Sequence, residues 1–171
     1  MRVLVLGLVG VVGLSALSAG CNKAREKAEE AAVEQATGQK LKIDDNGGKS
    51  LTLTSPDGGG TITIGTTEIP ADFPKSIPMY PGATVKTAMR TQNPGKGASF
   101  IIGLETGDPP DKVSAFYKAQ LKSWKSKADM GTGEGHMEAF EDTAAKIGLT
   151  VTATKMTGTE GTQIGLLTAP L

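Results

Sequence analysis

Along residues 41–65, apolar side chains stand two apart in three short runs: Leu41/Ile43, Leu51/Leu53 and Ile62/Ile64, with polar residues between them. A period of two puts one set of side chains on one face of a strand. Strands are therefore expected at 41–44, 51–54 and 61–65. Asp44-Asp45-Asn46-Gly47-Gly48 and Ser55-Pro56-Asp57-Gly58-Gly59-Gly60 supply the turns between them. The implied unit, 40–65, is a three-stranded β meander with six aliphatic side chains on one face. Such a face is too small to stand alone in water. It calls for cover from the C-terminal region, from a helix or from a partner.

Residues 83–171 carry the clearest patterns. Val85/Thr87/Met89 and Phe100/Ile102/Leu104 alternate on either side of a turn at Asn93-Pro94-Gly95-Lys96-Gly97. A helix is expected over 109–124, with Asp108 as N-cap, Pro109 at the first helical position and Asp111 in the first turn. Val113, Phe116, Tyr117, Gln120, Leu121 and Trp124 fall at 3,4 spacing and form its core-facing stripe. A Gly-punctuated loop at 130–135 leads to strands at 137–141 and 147–154, and Ile164/Leu166 mark a last one. The order predicts an α+β fold, an antiparallel sheet with one packed helix (ββαβββ). Between this domain and the meander, 66–82 hold Pro70, Pro74, Pro78 and Pro81 and read as an extended linker. Ile69, Phe73, Ile77 and Tyr80 lie among these prolines, so the linker is expected to lie on the domain surface.

The amino-terminal residues follow a different logic. Ala, Glu, Lys and Arg dominate 23–37, strong helix formers, and Gly38 is placed to end the helix. Val33 is its only large apolar residue, so a solvated helical spacer at 21–39 is expected, with a partner-binding helix as the alternative. Before it, Met1-Arg2 precedes an apolar run at 3–17, shorter than the roughly 20 residues that span a bilayer. The run ends in Leu17-Ser18-Ala19-Gly20-Cys21, small residues of the kind found at a signal-peptide cleavage site. Ala19, Gly20 and Cys21 resemble the lipobox of bacterial lipoproteins, while Ser18 stands where that family usually has Leu. The resemblance implies a signal peptide at 1–20 and lipidation of Cys21. Ordinary cleavage after Ala16-Leu17-Ser18 is one alternative, and an uncleaved membrane anchor is the other. Each buried methylene contributes about 0.8 kcal/mol, and two or more acyl chains give stable anchoring. Asn22 after the cysteine, by resemblance to the enteric sorting rule, favours the outer membrane over the inner.

Composition narrows the function classes. Eighteen basic residues balance eighteen acidic ones, so no concentrated positive charge is available for nucleic acid. A single cysteine excludes an internal disulfide, and the lipobox accounts for it. A hydrolase triad needs a base beside its nucleophile, and the one histidine, His136, has no such partner in the sequence. Glu134, His136 and Glu138 stand two apart, but same-face positions on one strand lie roughly 7 Å apart. A solvated strand face is therefore expected there rather than a metal site. Asp108/Asp111 and Glu141/Asp142 are explained by a helix cap and a strand end. Asp44-Asp45-Asn46-Gly47 and Asp57-Gly58 lack the spacing of a calcium loop. The Gly58-Gly59-Gly60 and Gly131/Gly133/Gly135 runs lack the lysine of a phosphate loop.

Ala36-Thr37-Gly38-Gln39, Ile69-Pro70-Ala71-Asp72-Phe73-Pro74, Ile77-Pro78-Met79-Tyr80-Pro81-Gly82-Ala83, Phe116-Tyr117-Lys118 and Leu121 to Trp124 together resemble a loose group of bacterial lipoproteins of uncharacterised role. The resemblance implies envelope exposure and lends no catalytic residues. The functional expectation is a membrane-anchored, extracytoplasmic, non-catalytic accessory that needs no cofactor or metal. Its membrane contact is the lipid on Cys21, and its partner an envelope protein. The alternative is a small-molecule or lipid-binding module with a groove between helix and sheet. Tyr117, Trp124 and His136 are the candidate interaction surface.

Overall fold

The computed structural model describes residues 22–44, 50–56, 60–65, 68–158 and 160–171. The expected signal peptide, Cys21 and most of the two Asp/Gly turns of the meander lie outside the described residues.

Helix α1 (Asn22–Thr37) ends where the sequence places its stop. Gly38 takes φ +71°, and its N–H bonds to the Glu34 carbonyl at 2.8 Å, the conformation that glycine adopts without a Cβ penalty. Three strands follow, β1 (Lys40–Asp44), β2 (Ser50–Thr54) and β3 (Thr61–Gly65). Next come β4 (Thr84–Asn93), β5 (Gly97–Thr106) and helix α2 (Pro110–Gln120). The chain closes with β6 (Lys125–Thr132), β7 (Gly135–Asp142), β8 (Ile147–Lys155) and β9 (Thr162–Pro170). The nine strands of the described residues form one antiparallel sheet in the order β1-β2-β3-β4-β5-β9-β8-β7-β6. The fold is α+β.

The carboxyl-terminal order is ββαββββ rather than ββαβββ. The additional strand, β6, carries Lys125, Lys127 and Asp129 among small residues and is open to solvent on both faces over most of its length. It therefore lacks the apolar alternation that marks its neighbours. Gly131 and Gly135, expected in a loop, belong to the β6–β7 hairpin. A Cβ at Gly135 would fall on the Ala153 carbonyl of β8, so close backbone approach selects glycine there.

One face of β4–β9 is the core. Ile102, Leu166 and Val151 stand directly opposite one another on β5, β9 and β8, flanked by Leu104/Ile164/Ala153 and Phe100/Thr168/Leu149. Each Ile, Leu, Val or Phe among them contributes about 1.5–3 kcal/mol when fully buried. Val113 and Tyr117 of α2, with Leu121 just beyond its end, close the layer from above. The helix is shorter than expected: it stops at Gln120, and Trp124 follows after a turn in which its N–H bonds to the Leu121 carbonyl. Asp108 does not cap it. Pro109 is the N-cap and makes no side-chain bond.

The proline-rich segment is no extended surface linker. Its N–H groups at Phe73, Ile77 and Ala83 close turns onto the carbonyls of Pro70, Pro74 and Tyr80. Pro81 and Gly82 occupy the centre of the last turn, with Gly82 at φ +73°, as a type II turn requires. Coiling in this way buries Phe73, Ile77 and Tyr80 in the core. Phe73 meets Phe100 edge-on, with ring centroids 5.5 Å apart, and Tyr80 meets Phe116 at 5.0 Å.

The meander joins this body edge to edge, through β3 on β4, rather than by packing its apolar face on the core. Opposite pairing then forces a choice of side. Ala88 of β4 points into the core, and it stands opposite Gly65. Consequently Thr63 and Thr52 continue the core side as polar residues, while Ile64, Leu51 and Ile43 fall on the other side. Both sheet edges are guarded. On β1, Glu30 of α1 accepts a hydrogen bond from the Ile43 N–H at 2.8 Å. At the far edge, β6 carries lysines and a bulge between Ser126 and Ala128, devices that discourage edge-to-edge pairing.

Candidate functional site

Two features are chemically distinctive: a polar seam between α2 and β7, and the outer face of the sheet. The seam arises from matched spacing. Asp111, Ser114 and Lys118 repeat every three or four residues along one side of α2, and His136 and Glu138 repeat every two along β7. His136 Nε2 lies 2.6 Å from Asp111 Oδ1. Ser114 Oγ donates to Glu138 Oε1. Lys118 Nζ reaches Asp129 Oδ2 at 2.9 Å and Glu138 Oε1 at 3.7 Å.

Glu138 and Asp129 are direct cross-strand partners on β7 and β6, an arrangement that repels unless a cation is shared. Lys118 supplies that cation. The hydrogen bond to Asp129, with the charges of Asp129 and Glu138 behind it, holds the Lys118 ammonium above its ordinary range against a smaller opposing effect of burial. Glu138 is 1% exposed, and its Oε2 has no hydrogen-bond partner. An unpartnered oxygen on a buried carboxylate is costly, so Glu138 is no member of a solvated strand face. It lies in the wall of a cleft of about 230 Å³ between the end of α2 and the β6–β7 hairpin, whose apolar side is made by Leu121, Trp124 and Phe140. Among the described residues, no group of three or more His, Cys, Asp or Glu side chains is arranged to hold a metal ion.

The other end of α2 is tied by Asp108. Its Oδ2 accepts from the Tyr80 hydroxyl at 2.7 Å, its Oδ1 pairs with Lys112 at 2.8 Å, and its carbonyl accepts from Thr162 Oγ1 at 2.6 Å. The turn segment, the helix and β9 thus meet at one residue. Lys112 first, and Tyr80 second, hold the Asp108 carboxyl below the usual carboxylate range. Burial, followed by the bond to Asp108, raises the Tyr80 phenol to about 12.

Three residues were expected to share an interaction surface, and the structure separates them. Tyr117 is 0% exposed in the core; its hydroxyl is unpartnered, and burial pushes its phenol upward. Trp124 is half-buried in the wall of the cleft. His136 belongs to the seam. Glu138 is the residue that sequence reading passed over: its polar character suggested solvent, and only the helix seat above β7 reveals the burial.

On the outer face, a row of directly opposed residues crosses every strand: Ile43, Leu51, Ile64, Met89, Ile101 and Leu167. Thr150, Ala139 and Ala128 complete it on β8, β7 and β6. The row on one side contains Leu41, Leu53, Ile62, Thr91 and Ser99. The row on the other side contains Thr87, Gly103, Gly165, Thr152, Met137 and Met130. The central row and the row through Thr87 hold no charged residue; the row through Ser99 continues as Ala169 and Gly148 and ends in Glu141 and Lys125 at the far edge. Ile62, Ile101 and Leu167 are 39%, 43% and 47% exposed. Comparison with protein-family models, with curated proteins and with solved structures finds no match to this chain.

Proposed function

We propose that the chain is a membrane-anchored extracytoplasmic lipoprotein whose exported domain is a non-catalytic cell-envelope accessory. It docks through the outer sheet face on an uncharged, apolar surface of a neighbouring envelope protein. The observation that carries this reading is the face itself, uncharged except where Glu141 and Lys125 close one row at the far edge. At about 4.8 Å per strand step, nine strands extend about 38 Å. With the central row on all nine strands, one flanking row on β1–β5 and the other on β4–β9, the twenty positions cover about 650 Å², somewhat below the roughly 800 Å² per partner of a standard interface. Contiguous exposed apolar surface of that size marks interaction sites.

Charge and composition select the kind of occupant. Interfacial lipid binding relies on aromatic residues and Lys/Arg, and the three rows contain no aromatic residue and, as their one cation, Lys125 opposite Glu141 at the far edge. A protein surface of matching neutrality is the complementary partner. Anchoring supports the same reading. Cys21 immediately precedes α1, a helix of 16 residues and thus about 24 Å, and the chain beyond α1 enters β1, where the outer row begins. Lipid on Cys21 holds the domain within about that distance of a membrane, the outer one by the Asn22 resemblance.

A second reading, a small-molecule module with a groove between helix and sheet, is favoured by the cleft beside Glu138 and Trp124.

Labelling cells with an alkynyl palmitate tests the anchor. Label on the wild type and none on Cys21→Ala is the expected result, and equal labelling of both, or of neither, contradicts it. Photocrosslinking from the outer face in intact cells tests the docking.

A further inference from the structure

We infer that the cleft at the end of α2 is a binding site for a free α-amino acid with an apolar or aromatic side chain. The inference develops the small-molecule reading and stands apart from docking at the outer face. Three features of the cleft point to this ligand. The first is Glu138, a carboxylate buried to 1% exposure whose Oε2 lacks a donor. Glu138 lines the cleft, and the terminal torsion of Glu has a broad profile, so ligand binding requires the carboxylate to turn this oxygen toward the incoming donor, readjusting its contacts with Ser114 and Lys118. The second is Lys122, an exposed lysine in the cleft wall with no carboxylate paired to it among the described residues. The third is the apolar wall of Leu121, Trp124 and Phe140.

Neither charge is suited to a ligand of a single sign. A lone anion drawn to Lys122 meets Glu138 and Asp129, and a lone cation drawn to Glu138 meets Lys118 and Lys122. Lys118 is already engaged with Asp129 and Glu138, which leaves one acceptor and one cation unsatisfied. A zwitterion satisfies both: its ammonium donates to Glu138 Oε2, its carboxylate pairs with Lys122, and its side chain lies on Trp124. Size limits the ligand as well. Sites for drug-sized molecules run about 300–1,000 Å³, so a cleft of about 230 Å³ takes a smaller molecule.

Trp124 is the single tryptophan of the chain, so its emission reports the cleft directly. The test titrates the mature, lipidated chain in detergent with L-phenylalanine, with phenylethylamine, which lacks the carboxylate, and with 3-phenylpropanoate, which lacks the ammonium. The expected result is a saturable change in Trp124 emission with L-phenylalanine, and binding about tenfold weaker or worse for each single-charge analogue. Lys122→Ala, an exposed change that leaves the fold intact, is expected to weaken L-phenylalanine about tenfold and to bind phenylethylamine as tightly as the wild type or more tightly. Glu138→Gln is expected to bring L-phenylalanine down to the level of 3-phenylpropanoate. No saturable response to L-phenylalanine at millimolar concentration overturns the proposal. So does equal binding of L-phenylalanine and either analogue, or wild-type affinity in Lys122→Ala. Because no partner protein is present, failure here leaves the docking reading untouched.

Discussion

Ile64 on β3 lies directly opposite Met89 on β4, and this pairing decides which way the amino-terminal strands face. It makes the meander an extension of the main sheet and turns its aliphatic side chains away from the core. A shared sheet has a thermodynamic consequence. Urea unfolding followed by Trp124 fluorescence and by far-ultraviolet circular dichroism should give coincident transitions, since β1–β3 depend on β4 for their pairing. Two separated transitions would show the meander to be an independent unit.

Much of this arrangement was legible in the sequence. The alternation at 41–65, 100–104, 147–153 and 164–166 identified the strands that have one apolar face, and Gly38 marked the end of α1. What escaped has physical causes. β6 is an edge strand without an apolar face. The 85/87/89 alternation is broken by a bulge, so that Val85 pairs opposite the buried Leu104 while Thr87 and Met89 point outward. Four prolines suggested extension, whereas three turns coil the segment into the core. Above all, apolar alternation says that a strand has an apolar face and is silent on which side of the sheet that face will take. The burial of Glu138 depends on where α2 sits above β7, a tertiary relationship that no local pattern encodes.

The Tyr80–Asp108 bond predicts a pH-dependent stability. Tyr80 rises from 10.0 to about 12 on folding, so the folded state holds this proton more tightly. That contribution is whole below pH 10 and disappears as pH climbs from 10 to 12. Asp108 acts in the opposite sense. Its lowered value stabilises the fold above the carboxylate range and is lost as pH falls through it. Tyr80→Phe should cost about 1 kcal/mol at neutral pH and lose less stability than the wild type above pH 10. Urea midpoints across the range check both, and identical alkaline slopes would contradict the assignment.

Lys118 shared between Asp129 and Glu138 predicts coupling. Lys118→Met should destabilise by about 1 kcal/mol, a modest figure because the Lys118 side chain is 42% exposed. Adding Asp129→Asn to Lys118→Met should cost less than the sum of the two single changes. A strictly additive cycle would mean that the cation does not bridge the carboxylates.

Glu30 guards the β1 edge through the Ile43 amide. Glu30→Ala should raise the hydrogen-exchange rate of that amide about fivefold, as expected for loss of about 1 kcal/mol of local protection. Core amides of β8 and β9 should be unaffected. Unchanged exchange at Ile43 would place its protection elsewhere.

The central claim is that a lipid-tethered domain docks through the uncharged part of its outer face, and photocrosslinking in intact cells tests it most directly. A photoreactive residue replaces Ile101 on that face, or Lys75 in the turn segment on the opposite side, each with Cys21 intact. The expected result is one discrete adduct with another envelope protein from position 101 and none from position 75. Leu167→Glu, whose exposed site changes stability by no more than about 0.5 kcal/mol, should abolish the adduct, and Cys21→Ala should diminish it. Equal capture from both positions, an adduct insensitive to Leu167→Glu, a dimer of this chain as the sole product, or no adduct at all would contradict the account.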